Sequence, residues 1–245
     1  MIVISGSLPK SGSTWLYSMT EAALVAGGYR PADRVRKRFR LEDVLVSKAC
    51  EISYATPGKL LRLLPAHAVG EAVLCKTHFA PSRSLRALMK AGIAKGTYIY
   101  RDPRDSALSA LDHGERARTQ GYGHELGKLK SVAEALHYTH ERSVREWAKW
   151  SASPGLLMLR YEDLLADPEA ELRRVVNHLG LRLDDGVVAE IVRRFDRRNV
   201  AGQTRANLMV NKATTRRWME EMTVADQRLA EDLFGRELEA MGYAA

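Results

Sequence analysis

The sequence predicts an α/β protein, a three-layer sandwich around a central parallel β-sheet with a P-loop-like loop after the first strand. Two observations support this class. Short apolar runs suited to buried parallel strands alternate with longer segments of helical periodicity. The chain also opens with a β-branched run, Met1 to Ser5, which leads through a loop containing Gly and Ser into a helical pattern.

The predicted strands are short and apolar, and each leads into a polar loop. They are Met1 to Ser5, Ala72 to Thr77, Thr97 to Arg101 and Leu156 to Tyr161. The predicted helices repeat apolar residues at helical spacing and cover residues 15–26, 81–94, 104–111, 126–150, 167–179 and 223–241. Strands that alternate with helices favour a parallel sheet with crossover helices.

Length and composition indicate one folded domain. The 245 residues suit a single domain over 1–245, with insertions at about 30–65 and 114–128 that we expect to shape an acceptor pocket or a lid. The two cysteines cannot form a disulfide framework or a four-cysteine zinc site. With no apolar run near the roughly 18 residues of a membrane span and no signal-peptide pattern, we expect a cytoplasmic protein.

The charge predicts an anionic ligand without identifying it. The chain has 38 Lys and Arg against 30 Asp and Glu, a formal net charge of +8. A positive chain attracts nucleic acid, phosphorylated metabolites and anionic surfaces alike. The densest basic run, Arg30 to Arg40, is either a solvated face or the rim of a site for an anionic acceptor.

The segment from Gly6 to Trp15, GSLPKSGSTW, is the most informative. A strand that turns through Gly and Ser into a helix presents unpaired backbone N–H groups and a positive dipole end, which suits phosphate. Lys10 adds a charge, and Ser13 and Thr14 add hydroxyl donors. The loop is not a Walker A motif, because Gly12 is followed by serine rather than by lysine.

Two further segments follow predicted strands, where functional groups of open parallel sheets gather. Lys76-Thr-His78 places a histidine there, and a histidine can accept a proton from an alcohol near neutral pH. In the second segment, Arg101 ends a strand and Ser109 lies two turns into the next helix, which favours a second anion site. The alternative is that Arg101 pairs with Asp105 as a surface cap.

Together these segments resemble those of the PAPS-dependent sulfotransferase family, PAPS being 3′-phosphoadenosine 5′-phosphosulfate. Ser7 to Leu16 is similar to the family's 5′-phosphosulfate loop, and Lys76 to His78 to its catalytic-histidine strand end. Tyr100 to Ser109 resembles its 3′-phosphate segment, and Leu159 to Pro168 its Tyr-Glu-Asp segment. The similarity spans residues 2 to 180 in the expected order, so the chain is identified as a small member of the cytosolic type.

The resemblance implies a role for each matched residue. His78 is the general base, Lys10 stabilises the leaving phosphate, and Lys76 is a second stabiliser of the transferring group. The implied cofactor contacts are Lys10, Ser11, Gly12, Ser13 and Thr14 at the 5′-phosphate, Arg101, Ser109 and Lys212 at the 3′-phosphate, and Trp15, Tyr161 and Phe195 at adenine.

Two departures from the family pattern concern the last third of the chain. An Arg-Lys-Gly triplet that closes the 3′-phosphate site is replaced by Asn211-Lys212-Ala213, which leaves Arg216 as another cation for the cofactor. In the family's dimer segment, Met219 and Arg228 stand where the family has a lysine and a glutamate. The oligomeric state is therefore left open.

The expected reaction moves the sulfuryl group of PAPS to a hydroxyl of a small or medium organic acceptor and releases 3′,5′-phosphoadenosine. Phenol, sugar, lipid-alcohol and natural-product acceptors stay open. Lysine, backbone N–H groups and hydroxyls meet the charge demand without a metal, and no metal is expected. One alternative is an ATP-dependent phosphate-loop kinase. Another is a nucleic-acid-binding module, which the 7% aromatic content disfavours.

Overall fold

A parallel sheet of four strands organises the chain, which the computed structural model describes over residues 1–196 and 214–243. The strands are β1 (Ile2–Ser7), β2 (Val73–Thr77), β3 (Ala94–Tyr100) and β4 (Leu156–Arg160). Their order is β2-β1-β3-β4, and every neighbouring pair is parallel. The predicted α/β class with a central parallel sheet is confirmed.

Twelve α-helices lie within the described residues. They are α1 (Ser13–Ala26), α2 (Ala32–Arg38), α3 (Pro57–Ala68), α4 (Arg83–Lys90), α5 (Pro103–Thr119), α6 (Val132–Thr139), α7 (Arg145–Ser151), α8 (Tyr161–Ala166), α9 (Pro168–Leu179), α10 (Asp185–Arg194), α11 (Trp218–Glu221) and α12 (Val224–Ala240). A 3-10 turn covers Glu125–Lys128, and a π-helical segment, His140–Val144, joins α6 to α7. None of the described helices is long and apolar enough to cross a membrane.

The described chain divides into two compact units. The first comprises residues 1–7, 12–100 and 149–196 and contains the whole sheet. The second comprises residues 8–11, 101–148 and 214–243 and is helical, with α6 packed against both α5 and α12. The extent of the predicted single domain stays a prediction.

In the first unit, β1 is the centre of the core. All six of its residues are buried, because it pairs with a strand on each side and α1 packs against it. The rings of Tyr98 and Trp150 stack with their centroids 5.4 Å apart. A Cβ atom at Gly6 would lie 2.9 Å from the Tyr98 ring and 3.2 Å from the Trp150 ring. Only glycine therefore fits at this position of β1.

Two predicted boundaries around β3 are wrong. The helix predicted over 81–94 covers only Arg83–Lys90, because Gly92 adopts a left-handed φ of 73° and ends it. Strand β3 then begins at Ala94 rather than at Thr97. Apolar residues continue across this junction, so periodicity alone does not locate it.

The boundaries in the second unit also differ from the prediction. Helix α5 continues to Thr119 rather than ending at Leu111, so the insertion predicted at 114–128 begins inside this helix. The helix predicted from residue 126 begins instead at Val132. Its cap is Ser131, whose side chain accepts a hydrogen bond from the N–H of Glu134.

Replacing Gly6 with alanine tests the packing around β1. We expect Gly6→Ala to lower the free energy of unfolding by about 1–3 kcal/mol, because the added methyl group overpacks the Tyr98 and Trp150 rings. The matched control is Gly58→Ala at an exposed position of α3, where a Cβ would meet nothing within 4 Å. Urea unfolding of both variants measures the difference, and equal effects at the two sites would contradict this packing.

Candidate functional site

The loop between β1 and α1 has an unusual backbone. Lys10 adopts a left-handed φ of 66°, and Gly12, which precedes the helix, has φ 84°. The Ser11 hydroxyl closes the turn by donating to the Leu8 carbonyl at 2.6 Å. A non-glycine residue in this region is strained, and such strain concentrates at functional sites. The loop delivers the chain to Ser13, the first residue of α1, where backbone N–H groups suit an anion.

Tyr161, the predicted adenine contact, packs against this loop. A Cβ atom at Gly12 would lie 2.8 Å from the Tyr161 ring, so the ring rests directly on the glycine. The other two predicted adenine contacts are buried, since Trp15 and Phe195 each expose only 8% of their surface. The structure thus brings Tyr161 to the predicted phosphate loop, and the adenine roles stay predictions.

His78 is held by the end of the neighbouring strand. The register of β1 and β2 pairs Gly6 with Thr77, which places Ser7 beside His78. The His78 Nδ1 lies 3.0 Å from the Ser7 hydroxyl and 3.1 Å from the Ser7 carbonyl oxygen. A proton on Nδ1 suits the carbonyl, which only accepts, whereas an unprotonated Nδ1 would accept from the Ser7 hydroxyl. In the tautomer with its proton on Nδ1, the Nε2 lone pair is suited to accept a proton.

Lys76 is a buried lysine in contact with the start of α1. Its Nζ donates to the Thr14 hydroxyl at 3.2 Å and lies 3.5 Å from the Glu51 carboxylate. Burial lowers the pKa of Lys76, and the charge of Glu51 opposes that shift. Glu51 reaches this position because its backbone bridges to β2 at Lys76. Glu51 therefore favours the charged form of Lys76.

In the second unit, Lys10 contacts a histidine of α5. The Lys10 Nζ lies 3.3 Å from the His113 Nδ1. An ammonium group only donates, so His113 accepts through Nδ1. Burial and then the charge of Lys10 lower the pKa of His113 to about 4, so the imidazole is neutral at physiological pH. A neutral acceptor thus fixes the direction of the Lys10 side chain.

Arg101 pairs with Asp105, but not as the surface cap considered above. Its guanidinium donates to the Asp105 carboxylate at 3.3 Å and to the Thr214 carbonyl at 2.6 Å. Arg101 is 5% exposed and Asp105 is fully buried. A buried charge needs such partners, since its desolvation is costly. The pair therefore fixes Arg101 within the second unit rather than capping its surface.

One face of α5 carries the groups that hold both cations. Asp105, Ser109 and His113 recur at intervals of four residues, which places them along the same side of the helix. Asp105 contacts Arg101 and His113 contacts Lys10. At the helical rise of about 1.5 Å per residue, these two anchoring positions lie about 12 Å apart. Two cations and a buried hydroxyl, that of Ser109, thus line up along one helix.

Sequence reasoning missed three groups that orient the predicted residues. Ser7 contacts His78, Glu51 faces Lys76, and His113 contacts Lys10. The strand register could have indicated Ser7, whereas Glu51 comes from a segment with no readable pattern. Lys212, a predicted cofactor contact, lies outside the described residues together with Asn211 and Ala213.

No group of three or more His, Cys, Asp or Glu side chains that could hold a metal ion occurs within residues 1–196 and 214–243. The charged groups of the candidate site are instead lysines and arginines, each held by a neighbouring acceptor. Such donors suit an anionic ligand.

Comparisons with known proteins give a consistent result. The sequence model of the family described as "Sulfotransferase domain" matches residues 2–242. The curated protein "Sulfotransferase 1A1" from Bos taurus is 22% identical over 258 residues, which cover 96% of this chain and 83% of that protein.

Two solved structures share the fold. The crystal structure of a mouse sulfotransferase, SULT7A1, complexed with PAP has a TM-score of 0.64 and 17% identity, covering 97% of this chain and 84% of that one. The structure of retinol dehydratase with retinol and PAP has a TM-score of 0.63 and 19% identity, covering 97% and 81%. At these identities the likeness shows the fold alone.

Replacing Gly12 with alanine tests the contact between the loop and Tyr161. We expect Gly12→Ala to lower the free energy of unfolding by about 2 kcal/mol or more, because it adds a clash with the ring to left-handed strain. Gly28→Ala is the matched control, since Gly28 has φ 92° but no atom within 4 Å of an added Cβ. Chemical denaturation of both variants isolates the contribution of the ring, and equal losses would contradict the contact.

Replacing Glu51 with glutamine tests the electrostatics of Lys76. Glu51 opposes the burial that lowers the pKa of Lys76, so Glu51→Gln should lower that pKa further. NMR titration of protein with 13C-labelled lysine follows Lys76 directly. The control Glu42→Gln removes an equal charge from an exposed position and should leave this titration unchanged. A Lys76 midpoint that does not move in Glu51→Gln would show that the carboxylate has no influence.

Proposed function

The chain belongs to the sulfotransferase domain family, and we propose on that basis that it transfers the sulfuryl group of PAPS to a hydroxyl of a small or medium organic acceptor. The observation that carries this proposal is the face of α5, along which Lys10 and Arg101 are both held. A nucleotide that bears a phosphate at each end of its ribose needs two such cations. The PAP present in both solved relatives supports the same donor.

Lys10, with the loop backbone from Ser11 to Thr14, binds the 5′-phosphate in this proposal. The left-handed backbone of the loop and the N-terminus of α1 supply N–H donors, and Lys10 adds the charge. His113 fits this role for Lys10, because a neutral acceptor orients an ammonium group without neutralising it. As negative charge develops on the leaving phosphate oxygen, Lys10 stabilises it.

Arg101 and Ser109 bind the 3′-phosphate. The guanidinium of Arg101 is a planar fork that suits phosphate, and its contacts with Asp105 and the Thr214 carbonyl fix its plane. Ser109 lies one turn after Asp105 on the same helix and is 5% exposed. Its hydroxyl can donate to a phosphate oxygen without the cost of a second buried charge.

His78 is the general base. In the proposed state Nδ1 carries its proton beside the Ser7 carbonyl, and the Nε2 lone pair takes the proton from the acceptor hydroxyl. The acceptor oxygen then forms a bond to sulfur while the bond between sulfur and the phosphate oxygen breaks. Lys76 stabilises the charge on the transferring group, and its contact with the Thr14 hydroxyl keeps it beside the start of α1. The acceptor itself stays open among phenols, sugars, lipid alcohols and natural products.

Replacing His78 with alanine tests the base. We expect His78→Ala to lower turnover by about 100-fold or more while affinity for 3′,5′-phosphoadenosine stays within about twofold, because the base acts only in the transition state. Lys10→Met should lower both turnover and affinity for 3′,5′-phosphoadenosine, because Lys10 is proposed to bind the 5′-phosphate. Turnover is measured with PAPS, a panel of hydroxyl acceptors and EDTA, by mass spectrometry of a gain of about 80 daltons.

The matched control is His137→Ala, which removes an exposed histidine of α6 and should change neither quantity. If His78→Ala keeps near-normal turnover, the assignment of the base is wrong. If wild-type protein shows no transfer in the presence of EDTA but does with added magnesium and ATP, the donor assignment fails and a kinase is favoured.

A further inference from the structure

A single buried carboxylate gathers three donors in the second unit. One oxygen of Asp105 accepts from the Arg101 guanidinium at 3.3 Å and from the backbone N–H of Arg216 at 2.7 Å. Its other oxygen accepts from the N–H of Trp218 at 3.1 Å. Asp105 is fully buried. The backbone of Arg216 is therefore fixed beside Arg101 by a shared atom.

Arg216 adopts a backbone conformation that arginine disfavours. Its φ is 61°, in the left-handed region where a Cβ atom costs energy. The hydrogen bond to Asp105 holds the residue in this state. Glycine or asparagine would adopt this conformation with less strain, so the backbone conformation does not explain an arginine at position 216.

Within the described part of the chain, Arg104 and Arg217 are paired, whereas the guanidinium of Arg216 is not. Arg217 pairs with Asp112 at 2.9 Å and with Glu221 at 2.7 Å. Arg104 pairs with Asp102 at 2.9 Å, and its guanidinium lies 3.6 Å from the Trp218 ring centroid. The Arg216 side chain is exposed, and among the described residues its guanidinium has no hydrogen-bond or ion-pair partner.

We infer that Arg216 binds the same phosphate as Arg101, the 3′-phosphate of the donor, and that Asp105 is a positioning residue that sets the two arginines side by side. This inference rests on the proposed function. Asp105 partly neutralises Arg101, so a second cation strengthens a site for a dianionic phosphate. The Arg216 backbone is strained, and its exposed guanidinium has no partner among the described residues. An arginine at this position therefore suits ligand binding better than it suits stability of the fold.

Two nucleotides separate this role from general electrostatics. Isothermal titration calorimetry compares adenosine 3′,5′-bisphosphate with adenosine 5′-monophosphate, which lacks the 3′-phosphate. We expect Arg216→Ala to weaken binding of the bisphosphate about tenfold or more, the effect of one charge-assisted contact, and to leave the monophosphate unchanged. Arg216→Lys should restore part of the loss, because it keeps the charge without the fork.

The matched control is Arg228→Ala on α12, which lowers the net charge by the same amount and should change neither affinity. Asp105→Asn should reduce the preference for the bisphosphate although the residue does not touch the ligand. Arg216→Gly should lose the same bisphosphate affinity while its melting temperature stays at or above that of the wild type, because glycine relieves the strain.

Equal losses for both nucleotides in Arg216→Ala, or no loss for either, would overturn the inference. A fall in melting temperature in Arg216→Gly together with unchanged bisphosphate binding would assign the arginine to the fold and would also overturn it. A wild-type protein that does not prefer the bisphosphate would instead overturn the proposed function. The wild-type titration therefore distinguishes the two failures.

Discussion

Helix α5 presents a carboxylate and a neutral imidazole two turns apart, and each holds a cation that belongs to a different loop. Asp105 fixes Arg101, which follows β3, and His113 fixes Lys10, which follows β1. Each anchor has to accept a hydrogen bond without repelling the cation: Asp105 does so as a carboxylate, and His113 does so as a neutral imidazole. A protonated His113 would repel Lys10, and burial prevents this by lowering the pKa of His113 to about 4. The separation of the two cations is thus set by helix geometry rather than by flexible loops.

In the first unit, the candidate catalytic residues His78 and Lys76 are likewise oriented by groups outside their own motif. Parallel register brings Ser7 to His78 and holds the imidazole Nδ1 beside two oxygens of Ser7. Contacts with Thr14 and Glu51 offset the desolvation cost of burying the Lys76 ammonium. A histidine or lysine at a strand end is common, but an oriented imidazole and a paired buried ammonium make these side chains suited to proton transfer and charge stabilisation.

Much of this site could be predicted from the sequence, because strand, loop and helix follow one another locally. The loop after β1, the strand ends at Lys76 and Arg101, and the parallel sheet are predicted from short-range patterns, whereas phosphate binding by that loop stays a prediction. The partners could not be predicted, since Glu51 and His113 meet their lysines only after distant segments pack. The boundary at Ala94 was missed for a different reason: a left-handed glycine, not a change in hydrophobicity, ends the preceding helix.

We propose that Lys10 and Arg101 bind the two phosphates of one nucleotide. A crystal structure of the protein with adenosine 3′,5′-bisphosphate would show this contact. We expect a single bound molecule whose 5′-phosphate contacts the Lys10 ammonium and whose 3′-phosphate contacts the Arg101 guanidinium and the Ser109 hydroxyl. A nucleotide that touches only one of the two cations, or that binds away from the α5 face, would refute the shared site.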